Sequence, residues 1–371
     1  MPADLPSTAG VGRTGPEPSV RTDAVLRHDP ASRELTSDNH AGAHPEVLAA
    51  LSLVSGGHQK AYGEDAYTQH LEETFRRHFG PDAQVFPVFN GTGANIIALE
   101  AVTHRWGAVV CSQQAHLHGD EGGAPEHMAG VKLLTFSSED GKLTPCMIDD
   151  AVQAAGDVHS AQPQAVSFAQ STELGTCYTL TELHALTSRA HAQGLAVHMD
   201  GARLANAAVS LGTDLAACTT KAGVDILSFG GTKNGLLFGE CVVVLNPSAV
   251  AGVPYLRKRS THLASKMRFL SVQFEALLEG DLWKRNATRA NEMARRLSVV
   301  LSQVEGVTVS RPVDANAVFA RFPAQSLAQL RDRYSFYVND EETREVRLMC
   351  SFDTTEGDVE SFGNVVREST R

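Results

Sequence analysis

Cysteine is scarce in this chain of 371 residues: the six present, at 111, 146, 177, 218, 241 and 350, form no CxxC pair and no metal-ligand spacing. That excludes a disulfide-built scaffold, and the six read as mostly buried free thiols. Basic residues are in deficit, 32 Lys and Arg against 43 Asp and Glu, for a formal net charge of -11. Such a surface repels phosphate backbones and anionic membranes, which argues against nucleic acid as a partner. No apolar run approaches the ~18 to 20 residues that a membrane span needs, and no basic-then-apolar secretory signal opens the chain. A cytoplasmic protein is expected. Internal repeats are absent too, as are low-complexity tracts beyond the N-terminus.

What is present is enough apolar sequence for a large core, 42% hydrophobic against 20% charged, and at roughly 150 residues per domain, two domains are expected. Residues 1–34 mix Pro, Gly, Ala, Ser and Arg without a period of 2 or 3.6, and read as a flexible extension. In AYTQHLEETFRRHF, Leu71, Phe75 and Phe79 fall on one helical stripe, closed by Gly80-Pro81. VFPVF, GAVVCS, AVSFAQS, GLAVHMD, VDILSF and CVVVL are short apolar runs separated by helical stretches. They predict an α/β domain over residues 35–275, with an N-terminal arm and a mostly parallel sheet covered by helices. In residues 282–304, Ala290, Met293, Ala294, Leu297, Val300, Leu301 and Val304 keep helical spacing; GVTVS, AVFARF and VRLMCSF follow, then a last helix from near Thr355. Residues 276–371 therefore read as a smaller α+β domain.

In an open α/β sheet, ligands bind at the carboxyl ends of the strands. NGTGAN follows VFPVF and opens a helix, so its N–H groups and the positive end of the helix dipole converge on one point and suit a phosphate; an ordinary glycine turn is the plainer reading. Gly91-x-Gly93 is also half a dinucleotide fingerprint, but Ile96 stands at the last glycine position and disfavours a nicotinamide site. GLAVHMDGARL ends a strand with Asp200, which can hold a cationic ring nitrogen or a metal, or cap the next helix. VDILSFGGTKNG ends one with Lys233 among glycines, where lost solvation lowers an amine's pKa and makes it nucleophilic; a solvated loop lysine is the alternative. A phosphate turn, a strand-end Asp and a lysine about 33 residues beyond it are together the fixtures that pyridoxal phosphate needs.

SDNHAG, YGEDAYT, FNGTGAN, AHLHGDEGGAPE, HMDGARLANA, SFGGTKNG, LASKMRFLS and VRLMCSFD resemble, in order and spacing, the low-specificity L-threonine aldolases, especially their Pseudomonas-type branch, over about residues 36 to 371. The resemblance implies a fold-type I pyridoxal-phosphate enzyme that cleaves L-threonine, L-allo-threonine and related β-hydroxy-α-amino acids reversibly to glycine and an aldehyde. Carried over motif by motif, it makes Lys233 the lysine joined to the cofactor, Asp200 the partner of the pyridine nitrogen, and Gly91 and Thr92 the phosphate ligands. His116 would stack on the ring near the substrate hydroxyl, and Ser37, Arg203 and Arg347 would grip the substrate carboxylate, Arg203 lying beside the cofactor as well. It implies a homotetramer, a dimer of catalytic dimers, with Tyr62 and Arg268 reaching the substrate and the phosphate from a neighbouring subunit. Glu173, in QSTELGT, stands where many bacterial members carry histidine, so the group at the β-hydroxyl is open between Glu173 and His116.

Three other readings compete. His116, His118, Asp120 and Glu121 resemble the ligand run of a zinc hydrolase, though Glu121 replaces its last histidine and the Lys233 and Asp200 segments go unexplained. A β-eliminating lyase is the nearest rival within the fold. A non-catalytic relic requires loss of Lys233 or Asp200, and both are present.

Overall fold

The computed structural model describes residues 26–370. The flexible extension expected over 1–34 lies, as far as residue 25, outside the described residues. Residues 26–32 belong to a first unit and contain a bend and a turn without helix or strand; Arg33–Arg371 form a second, compact unit.

Each apolar run becomes a strand, because a near-continuous apolar segment is stable only when both sheet faces are covered. The strands are β1 (Gln84–Val88), β2 (Gly107–Ser112), β3 (Lys132–Phe136), β4 (Gln162–Ala169), β5 (Ala196–Gly201), β6 (Ile226–Gly230) and β7 (Glu240–Val244), in the order β1-β7-β6-β5-β4-β2-β3. β2 to β6 pair in parallel. β7 is antiparallel to both β6 and β1. The reason is the connection: a parallel return needs a crossover of about a dozen residues or more, and only residues 231–239 separate β6 from β7. β3, which sequence patterning did not single out, is a half-exposed edge strand and lacks the buried run that marks the others.

The second sheet contains β8 (Thr308–Val309), β9 (Ala317–Arg321), β10 (Tyr337–Asp340) and β11 (Glu345–Met349), all antiparallel in the order β10-β11-β9-β8. Helices Leu282–Ser302 and Glu356–Ser369 pack their apolar stripes with this sheet. Thr355 opens the last helix with a capping box, its hydroxyl accepting from Asp358 N–H while Asp358 accepts from Thr355 N–H. Among the described residues no helix is long and apolar enough to cross a membrane.

Helix Ala66–Phe79 shows how the large core is held. Asp65 caps it through Thr68 N–H at 2.8 Å, and Gly80, at φ 113, ends it. Phe75, with no exposed surface, meets Phe79, Phe229 and Phe274 at ring distances of 5.4, 5.8 and 6.1 Å. These rings tie the helix to β6 and to helix Arg268–Leu278. Phe75→Ala should therefore lower the unfolding free energy in urea by about 3–5 kcal/mol, through lost transfer energy plus a cavity. A loss below about 1 kcal/mol would show that this aromatic cluster does not anchor the helix.

Candidate active site

Six strands point their carboxyl ends the same way, and the connections there bring the chemistry-bearing residues together. Gly91 follows β1, His116 and Glu121 follow β2, Glu173 follows β4, Asp200 ends β5 and Lys233 follows β6. These six, with Asn95, Arg203 and neighbouring small residues, line one cavity.

Helix Gly91–Val102 begins at N-cap Asn90, whose side chain accepts from Gly93 N–H at 2.8 Å. The first-turn amides of Gly91 and Thr92 have no intrahelical acceptor, which leaves them for an anion. The glycines before Lys233 have a steric cause. A side chain at Gly230 would run into the backbone of Ala202, and one at Gly231 would meet the Gly239 carbonyl oxygen at 2.7 Å. The chain thus closes down against the next strand-end loop and turns Lys233 towards the cavity.

Asp200 does not cap the next helix, whose N-cap is Arg203. Its Oδ1 accepts from Ala202 N–H and its Oδ2 from Asn95 Nδ2, each at 2.9 Å. Burial alone would raise its pKa, but the charge of Lys233 and these two donors outweigh that and hold the carboxylate below its usual range. Lys233 goes down as well: burial and the charge of Arg203 disfavour the ammonium more than Asp38, Asp200 and Glu240 support it. Its amine has no hydrogen-bond or ion-pair partner among the described residues. Glu240, buried at the start of β7, accepts from Gly231 N–H at 2.8 Å, and burial pushes its pKa up to about 7.

Glu173 accepts the backbone N–H of His116 at 2.8 Å, and burial pushes its carboxyl up to about 7. His116 moves up from the ordinary imidazole value because its Nδ1 meets Glu121 at 2.9 Å, which outweighs burial. Of the zinc-like run, only His116 and Glu121 turn inward. His118 and Asp120 are exposed, and among the described residues no three His, Cys, Asp or Glu side chains converge for a metal.

Arg203 is half-buried with its Nε and Nη2 on Asp38 at 2.7 and 2.8 Å, and Asn316 Nδ2 donates to the same carboxylate at 3.0 Å. The fork is thus taken by Asp38, leaving Nη1. Arg347, on β11, lies over the Tyr337 ring with its Nε buried and unpartnered; burial and the nearby charge of Arg203 lower its pKa. Ser37 is buried and accepts from Asn39 N–H at 3.2 Å. Tyr62 and Arg268 lie outside the cavity lining. Tyr62 is 54% exposed beneath the Lys258 ammonium, and Arg268 Nη2 is 3.5 Å from the Gly57 carbonyl.

Residue-by-residue sequence reading missed Asp38 and Asn95 and gave Glu121 only a zinc role. Asn95 had a visible signal, a buried amide within the apolar stretch ANIIALEAV. Asp38 had none, since its partners are 165 and 278 positions away.

The β-eliminating lyase family model matches residues 34–324. The low-specificity L-threonine aldolases of a Pseudomonas species and of Pseudomonas aeruginosa are each 41% identical to this chain, over 91% of it and 97% of theirs. A solved structure of Leishmania major threonine aldolase superposes with a TM-score of 0.87 at 28% identity, covering 92% of this chain and all of that one. Sheet order, cavity position and these likenesses agree on one class, the fold-type I enzymes that use pyridoxal phosphate. Within that class the chain belongs to the low-specificity L-threonine aldolase family.

One buried base beneath the site gives the fold's stability a pH dependence. His198, two residues before Asp200 on β5, is wedged between the hydroxyls of Ser167 and Ser228 at 2.8 and 3.0 Å, and burial lowers its pKa from 6.5 to about 4. Between those values the unfolded chain binds the proton and the folded one does not, so stability falls as pH drops through that window. Urea titrations at about pH 7 and pH 5 should show a larger loss in the wild type than in His198→Asn. Equal losses would mean that the ring is charged in the folded protein.

Proposed function

We propose that the protein is a pyridoxal-phosphate-dependent aldehyde-lyase that cleaves L-threonine, L-allo-threonine and related β-hydroxy-α-amino acids to glycine and an aldehyde, reversibly. The observation that carries the reading is the pairing, across one cavity, of an amine with depressed pKa and no ion-pair partner, Lys233, with a carboxylate kept ionised, Asp200.

The residues fit the cofactor. Gly91 and Thr92 supply free amides for its phosphate, Asp200 an anionic partner for its ring nitrogen, and Lys233 the amine that binds it. Bound there, pyridoxal phosphate supplies a cationic ring that draws electrons from the substrate's Cα. Asp200 holds the proton at the ring nitrogen that makes this possible. Arg347, with its unpartnered Nε, Ser37 and the remaining edge of Arg203 take the substrate carboxylate, and that grip sets which Cα bond stands in line for cleavage. His116 and Glu173 adjoin each other on the cavity wall, and one of the two accepts the β-hydroxyl proton as the aldehyde leaves.

L-threonine should yield glycine and acetaldehyde in equal amounts with no 2-oxobutyrate, and Lys233→Ala should abolish both turnover and borohydride capture of the cofactor. Ammonia and a keto acid as main products would replace this reading with the β-elimination that the matched family model names.

The proposal includes a cytoplasmic setting and a homotetramer built from catalytic dimers. Support for assembly comes from the uncovered apolar side chains of Tyr62, Leu237 and Phe238, the last two following the lysine turn, and from Arg268, whose buried Nε lacks an acceptor. Tyr62 and Arg268 would complete a neighbour's site. Mixing inactive Lys233→Ala with inactive Arg268→Ala should restore part of the activity, since a hybrid dimer holds one site with both residues intact. Confirmed subunit exchange without recovery would remove Arg268 from the partner's site.

A further inference from the structure

One carboxylate on the cavity wall has no task in the scheme above. Glu121 follows the one-turn helix His116–Gly119, and its side chain has no exposed surface. Its Oε1 meets His116 Nδ1 at 2.9 Å and accepts from Asn95 Nδ2 at 2.8 Å, while the same Asn95 nitrogen donates to Asp200 Oδ2 at 2.9 Å. Both N–H bonds of Asn95 are thus spent on carboxylates, and turning its amide over would set a carbonyl oxygen against each. Glu121 Oε2 and Asn95 Oδ1 are buried without partners.

A buried carboxylate is costly unless a donor or a cation compensates it. The group touching Glu121 that can carry positive charge is His116, and the contact is through Nδ1, so Nδ1 must hold a proton. Nε2 is then the ring nitrogen left over, with no partner among the described residues, on a side chain that is 40% exposed.

We propose that Glu121 is a positioning residue, which keeps His116 protonated at Nδ1 and turned so that Nε2 faces the substrate's β-hydroxyl. This rests on the acid–base reading of His116 given above. The other charges facing the ring are Asp200 from the end of β5, Lys233 from the turn after β6 and Glu173 from the loop after β4. The Glu121 contact is the largest influence holding the imidazolium, exceeding the opposing effect of burial; Asp200 adds to it and Lys233 opposes it. Asn95 keeps Glu121 and Asp200 from facing each other as bare anions, so the group beside the hydroxyl and the partner of the ring nitrogen share one amide.

Holoenzyme with nitrogen-15 in its histidine rings reads this directly, the His116 signals being those lost in His116→Asn. Above its pKa, wild-type His116 should carry its proton on Nδ1; a proton on Nε2 overturns the proposal with no change to Glu121. In Glu121→Gln the His116 titration should move down by about one pH unit, taking the acid limb of kcat with it while KM stays close to wild type. An unchanged titration overturns the proposal. Should Glu121→Gln fail to fold, the wild-type tautomer decides. Wild-type turnover in His116→Asn would sink the acid–base reading of His116 and leave the tautomer result to stand on its own.

Discussion

Charge cannot be buried at the end of a sheet without compensation, and the cavity is organised by that constraint. Asp38, Asp200, Arg203 and Lys233 are drawn out of water at the carboxyl end of the sheet, and only Asp38 and Arg203 among them pair directly. Asp38 satisfies Arg203 with a bidentate contact, and Asp200 is held by an amide on each oxygen. Lys233 is left with charges near it but no partner in contact. Burial and the charge of Arg203 hold its pKa below the usual lysine value, which favours the neutral amine.

The same constraint joins parts of the chain far apart in sequence. Asp38 comes from the segment before the first sheet, Arg203 from the loop after β5, and Asn316, which also donates to the Cys350 carbonyl, from the entrance to β9. One carboxylate therefore fastens the N-terminal segment, the seven-stranded sheet and the four-stranded sheet at the mouth of the cavity. Arg347 on β11 lies near enough to feel the charges of both Arg203 and Asp38.

Below the cavity, polar residues are tolerated on β4, β5 and β6 because they satisfy one another across neighbouring strands. His198 takes Ser167 on one side and Ser228 on the other, and β5 carries Asp200 two residues further along the same face. A neutral imidazole there leaves the strand-end carboxylate as the anion of that face.

Sequence by itself determined the strands of the large sheet other than β3, because a short apolar run between helical stretches has few other stable outcomes, and the Leu71, Phe75 and Phe79 stripe, because helical period is a local property. It also marked Lys233, Asp200 and the Gly91 turn, whose signal is the residue type just after a strand, whereas Thr92 and His116 were marked only by the resemblance of their motifs to the aldolase family. Tertiary structure decided what depends on neighbours remote in sequence. β7 runs antiparallel because its connection is short, and β3 became a strand by pairing at an edge that its own pattern did not announce. The resemblance sets the Arg203 guanidinium on a substrate carboxylate, and only folding brings Asp38, 165 residues earlier, onto it. Glu121 read as a spoiled zinc ligand beside His118 and Asp120. A single helical turn separates residues two apart to different sides, so folding sent those two into solvent and turned Glu121 in towards Asn95 and His116.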